Sequence, residues 1–188
     1  MRFEKLRSIN PKVKYGFAKE LLKKGAESPE HLYDYFEQWT QMLKDENNIL
    51  RWTAIDIIGY LSSVDESNKT EQSIPDLIQL LHSGHLITCN HAIFALGLIA
   101  QNKPKHRKKI LTELVAISND EFESEECKNI ATGKVIESFN FFLDDIKDDK
   151  PVINFIRAAT RNSRNATKQK AERLISKIEK LKRSPRYE

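Results

Sequence analysis

Side chains able to hold a metal or move a proton are most concentrated in one segment, where His82, His85, Cys89 and His91 fall within ten positions. A helix starting near His85 puts His85 and Cys89 on one side, the placement two ligands of one ion need. Cys89 also stands three residues before Ala92 and completes an apolar stripe with Ala92, Leu96 and Ile99. Zinc patterns are more regular than this spacing. The expectation is therefore a buried thiol and helix-end histidines, with no metal and no cofactor. A second pair, Trp52 and Asp56, stands one helical turn apart. The carboxylates Asp144-Asp145 and Asp148-Asp149 are paired, but Asp149 ahead of Pro151 reads as a helix N-cap. The chain has no glycine-rich phosphate loop, no His-Glu-x-x-His, no nucleophile elbow and no EF-hand loop, so no enzyme is expected.

Charge is the other resource. The net +4 hides a segregation: residues 1–25 sum to +6 and residues 26–76 to −8, while residues 157–188 hold eleven basic and three acidic groups. Such patterns bear on association rather than on fold. A basic C-terminal half can neutralise phosphates, yet after residue 150 only Phe155 and Tyr187 offer rings for stacking, which argues against single-strand recognition.

The elements that must position these groups read as helices. Only six Gly and six Pro occur in 188 residues, which points to one all-α domain over 1–188. Two cysteines and an opening stretch without a continuous apolar core predict a reducing, cytoplasmic setting. Residues 77–102 run 26 positions without an Asp, Glu, Lys or Arg. Their three histidines and the Ser83-Gly84 break make them a buried helical hairpin rather than a membrane span. In chain order, helices are expected at Pro11–Gly25 and from Ser28-Pro29 with Leu32, Phe36, Trp39 and Leu43 on one face. Others follow at Ile49–Val64, Ile74–His82, Leu86–Gln101, Pro104–Ile117, Cys127–Ile146, Asp149–Arg161 and Asn165–Leu181.

Alternate helices share a pattern. Ala18, Ala54, Ala92, Ala131 and Ala171 superpose, and Leu22, Ile58, Leu96, Val135 and Ile175 follow four residues later, at a period near 40. Gly59 and Gly97 match as well, while Ile136 stands at that position in the fourth unit. Phe94 falls where Asp56 stands one unit earlier, which places an aromatic and acidic patch on the outer layer.

The chain thus resembles the HEAT-repeat family, armadillo-type α-solenoids, over nearly its whole length. The resemblance implies a short right-handed α-α superhelix of about four helical pairs (11–44, 47–82, 85–117, 127–161) and a C-terminal capping helix at 165–182. It also implies that second helices line a concave, partner-binding surface. On that surface the basic end would be Arg107, Lys108, Lys150, Arg157 and Arg161, and the acidic end Glu30, Asp34 and Glu37. The expected function is a non-catalytic module or scaffold presenting this surface to a protein partner, with no membrane role and with self-association a further option. The alternative is sequence-nonspecific nucleic-acid binding. Trp52 and Asp56 further resemble a residue pair of the HEAT-like alkylpurine DNA glycosylases, although no second aromatic wall is evident in the sequence.

Overall fold

The computed structural model describes residues 3–183, and no strand occurs among them. Tyr187 and Arg186, counted above in the basic tail, lie outside the described residues. The helices are α1 (Pro11–Glu27), α2 (Glu30–Tyr33), α3 (Phe36–Met42), α4 (Asn48–Leu61), α5 (Lys69–Leu81), α6 (Leu86–Asn102), α7 (Pro104–Ala116), α8 (Glu125–Ser138), α9 (Leu143–Ile146), α10 (Lys150–Ala159) and α11 (Asn165–Arg183). Single 3-10 turns occupy Phe3–Arg7, Ile117–Asn119 and Phe139–Phe142.

Helix starts follow from short polar side chains that catch otherwise unpaired N–H groups. Asn10 accepts from Lys12 N at 3.0 Å, Asn47 from Ile49 N at 3.0 Å, Ser124 from Cys127 N at 3.2 Å and Asp149 from Val152 N at 3.0 Å. The hairpin within 77–102 turns where the sequence places it, with Gly84 at φ +74°, a conformation that suits a residue without Cβ.

α1, α4, α6, α8 and α11 pack side by side in chain order, each against the next. A second set lies on them: α3 on α4, α5 and α7 on α6, and α10 on α11 and α7. The five superposed alanines are all buried, as are Ile58, Leu96 and Val135 one turn later. Each fully buried Leu or Ile stabilises the fold by roughly 1.5–3 kcal/mol relative to exposure. Side-chain cross-links between helices recur at sequence separations from 31 to 40 residues, with His82 to Glu113 and Asn102 to Ser62 at the two extremes.

Several elements differ from expectation, three of them for identifiable reasons. Gly25 does not stop α1: the helix runs to Glu27, and a Cβ added at Gly25 would stand 2.8 Å from Ile57 Cδ1, so this glycine permits α1 to approach α4. α5 begins at Lys69 rather than Ile74, because the buried Asp65 carboxylate accepts from Lys69 N at 2.9 Å and Thr70 N at 2.8 Å. Pro75 consequently lies inside that helix. The expected second helix is divided into α2 and α3, with Trp39 Nε1 donating to Leu32 O at 3.1 Å across the break. Leu32, Phe36, Trp39 and Leu43 nevertheless share one buried face. The long helix expected over Cys127–Ile146 is also interrupted, at Phe139–Phe142.

Candidate functional site

The four residues that suggested a metal site go in different directions. His82 bridges two carboxylates, with Nδ1 at 2.7 Å from Asp120 Oδ2 and Nε2 at 3.3 Å from Glu113 Oε2. His85 is exposed, 3.9 Å from Glu123. Cys89 is fully buried, as its place in the apolar stripe implies, and burial followed by the negative charge of Asp120 pushes its thiol up to about 12. His91 is not at a helix end; it sits within α6 and turns back to α4.

There it meets the second pair singled out by sequence. His91 Nδ1 lies 2.8 Å from Asp56 Oδ1, and the imidazole stacks on the Trp52 indole at 5.6 Å between centroids and 12° between planes. Trp52 Nε1 donates to Thr88 Oγ1 at 3.0 Å. Asp56 is not on an outer, solvated surface: it is buried, and burial raises its pKa while the hydrogen bond and charge of His91 oppose that rise. The spacing of Trp52 and Asp56 on α4 and the place of His91 on α6 set this cluster because the two helices pack in direct contact.

Asp56 and His91 open into a cleft of about 510 Å³ between α4, α6 and α8, lined also by Tyr60, Phe94, Phe141, Lys134 and Glu137. Trp52 does not line it; His91 stands between. Sequence reasoning missed Tyr60 and Phe141. Tyr60 stands one turn beyond Asp56, so the signal for it was present. Phe141 belongs to the 3-10 turn that interrupts the expected long helix, so its direction was not readable.

The charged surface on the second set of helices divides. Arg107 is committed internally: its Nε donates to Ala100 O at 2.9 Å, its guanidinium pairs with Asp145 at 2.7 Å, and it lies 5.8 Å from the Phe142 ring centroid. Lys108, Lys150, Arg157 and Arg161 are exposed and form no ion pair with any described residue. Lys150, Asn154 and Arg157 line one depression with Asp148 and Lys182, which pair at 2.9 Å. Arg161, two residues past the end of α10, follows Arg157 by four residues, so Lys150 and Arg157 on α10 and Arg161 just beyond it continue along one side, away from buried Val152, Ile156 and Ala159. At the other end Glu30 lies 3.4 Å from His31, Glu37 lies 3.6 Å from Lys69, and Asp34 is exposed.

The chain matches no family model, and no curated protein matches it. No helix among the described residues is long and apolar enough to cross a membrane.

Proposed function

We propose that this protein is a non-catalytic binding module, a short right-handed stack of HEAT-like helical pairs closed by α11, whose second helices present a charged face to an acidic protein partner. The repeat reading is supported by the chain-order packing of α1, α4, α6, α8 and α11 and by links that recur about one unit apart. The observation that carries the function is the unneutralised side of α10. Many cations elsewhere are held by acids, including Lys103 by Asp65, Lys105 by Glu71, Arg164 by Glu126 and Lys170 by Glu137. Lys150, Arg157 and Arg161 are left open to a partner. Exposed cations that form no internal pair add little to stability and attract an opposite surface over about one Debye length, roughly 10 Å at 0.1 M salt.

The test is fluorescence anisotropy with a labelled Glu-rich peptide, alongside labelled duplex DNA and RNA, at two salt concentrations. The reading expects saturable peptide binding that is lost when Lys150, Arg157 and Arg161 are all changed to Glu, with melting unchanged. Salt-sensitive binding of duplex nucleic acid without peptide binding would replace it with the nucleic-acid reading.

A further inference from the structure

The cleft between α4, α6 and α8 has a chemistry of its own that does not depend on the α10 face. Its aromatic walls turn a corner: Tyr60 meets Phe94 at 5.4 Å and 74°, and Phe94 meets Phe141 at 6.3 Å and 72°. Rings set edge to face in succession offer both faces and edges to an occupant, and ring faces attract ammonium and guanidinium groups. One end is closed by a carboxylate. Asp56 Oδ1 is held by His91, while among the described residues nothing donates to Oδ2. The Asp56 side chain is only 11% exposed, so water screens it poorly.

The two charged groups that line the rim, Lys134 and Glu137, offset each other, and the same carboxylate is shared with Lys170 outside the lining. Lys134 pairs with Glu137 at 3.0 Å, and Glu137 pairs again with Lys170 at 2.6 Å. With the proton on His91 Nδ1, as a carboxylate partner favours, Nε2 is a second acceptor facing no described donor. The cleft therefore combines aromatic walls with Oδ2 of Asp56 and Nε2 of His91, both without a described donor, in a volume of about 510 Å³, within the range of small-molecule sites.

We propose that the cleft binds an organic cation, an ammonium or guanidinium on an apolar stem, with the charged head at Asp56 and His91 and the stem against Tyr60, Phe94 and Phe141. The chemistry is shared by free amines and by Lys or Arg side chains of a peptide, and the two sources are separable. The full chain is titrated with phenethylamine, with agmatine, with an N-acetylated, C-amidated Gly-Arg-Gly peptide and with phenylpropionate as the anionic control. Binding is followed by NMR at the His91 ring, which lines the cleft, and at the Trp52 indole N–H stacked behind it.

The expected result is saturable binding of at least one cationic probe, weakened about tenfold by Asp56→Asn and severalfold by Phe94→Leu, with no binding of phenylpropionate. Binding of the free amines alone assigns a small-molecule ligand, and binding of the peptide alone assigns a side chain of a partner. Asp56→Asn keeps the shape and an oxygen acceptor for His91 while replacing the second oxygen by a donor, and a thermal melt of each variant establishes that it is folded. Absence of saturable binding by all three cations, equal binding of phenylpropionate, or undiminished binding in folded Asp56→Asn overturns the proposal.

Discussion

Gly59 lies so close to α6 that a Cβ added to it would stand 2.8 Å from the Ala95 Cα, a backbone atom that cannot swing aside. Gly59→Ala must therefore push α4 and α6 apart, and urea unfolding is expected to show a loss of about 1–3 kcal/mol. Gly16, by contrast, has nothing within 4 Å of an added Cβ and lies in helix α1. Gly16→Ala is expected to stabilise by about 0.5–1 kcal/mol through helix propensity alone.

Asp65 and Asp56 are both buried aspartates, and their pH effects have opposite signs. For Asp65, burial works to raise the pKa, but hydrogen bonds from Thr70, Tyr33 and Lys69 outweigh it and hold the carboxyl below its ordinary value. The stability it contributes is present above the unfolded pKa near 3.8 and is lost as pH falls through the lowered folded value. Asp65→Ala, which leaves those donors without their acceptor and removes the carboxylate 3.7 Å from the Lys103 ammonium, is expected to cost about 3–5 kcal/mol at neutral pH.

For Asp56 burial prevails and the folded pKa is raised. The folded state then holds its proton more tightly than the unfolded state, so stability is highest below the unfolded pKa and declines as pH rises through the folded one. Asp56→Asn removes that decline. Chemical unfolding across pH 3 to 8 is expected to show a higher midpoint for the variant at neutral pH and convergence with the parent in acid.

Arg107 and Arg157 are expected to separate structure from binding. Arg107→Glu loses a carbonyl contact and an ion pair and places a negative charge near Asp145, so a melt should show a loss of about 2–3 kcal/mol. Arg157→Glu on the exposed side of α10 should stay within about 0.5 kcal/mol of the parent while weakening binding of the Glu-rich peptide.

The two thiols should differ in reactivity. Cys89 is fully buried with its thiol pushed up to about 12, whereas Cys127 is half-buried at the start of α8. A chromogenic disulfide reagent at neutral pH is expected to titrate Cys127 in the native protein and both thiols after unfolding.

The periodic features were legible in the sequence because they are set by apolar spacing. The aligned alanines, the Ser83-Gly84 turn and the Asp149 cap all follow from residue type at fixed intervals, and each lies where its type requires. Features decided between units were not legible in this way. Gly25 was read as a helix stop because a glycine near a helix end ordinarily is one; only the approach of Ile57 and Tyr60 shows its other use. The sequence pattern places Asp56 on the outer layer because nothing local tells which side of α4 the next helix covers, and His91, its partner, stands 35 residues away. Arg107 on α7 and Arg157 on α10 are the same residue type, and their different fates depend on Phe142 and Asp145, which lie in and after the 3-10 turn that interrupts the expected long helix.

The order in which the helices touch also bears on how the protein is made. The elements with which α1 packs closely, the 3-10 turn at Phe3–Arg7, α2 and α4, are all synthesised by Leu61. Those of α4 are complete by Asn102. A chain leaving the ribosome can thus bury each apolar face against the next segment to emerge rather than hold it open for the C-terminus. Vectorial folding of this kind keeps exposed apolar surface small during translation, and the charge-free hairpin emerges when α4, the first-set helix that packs against it, already exists.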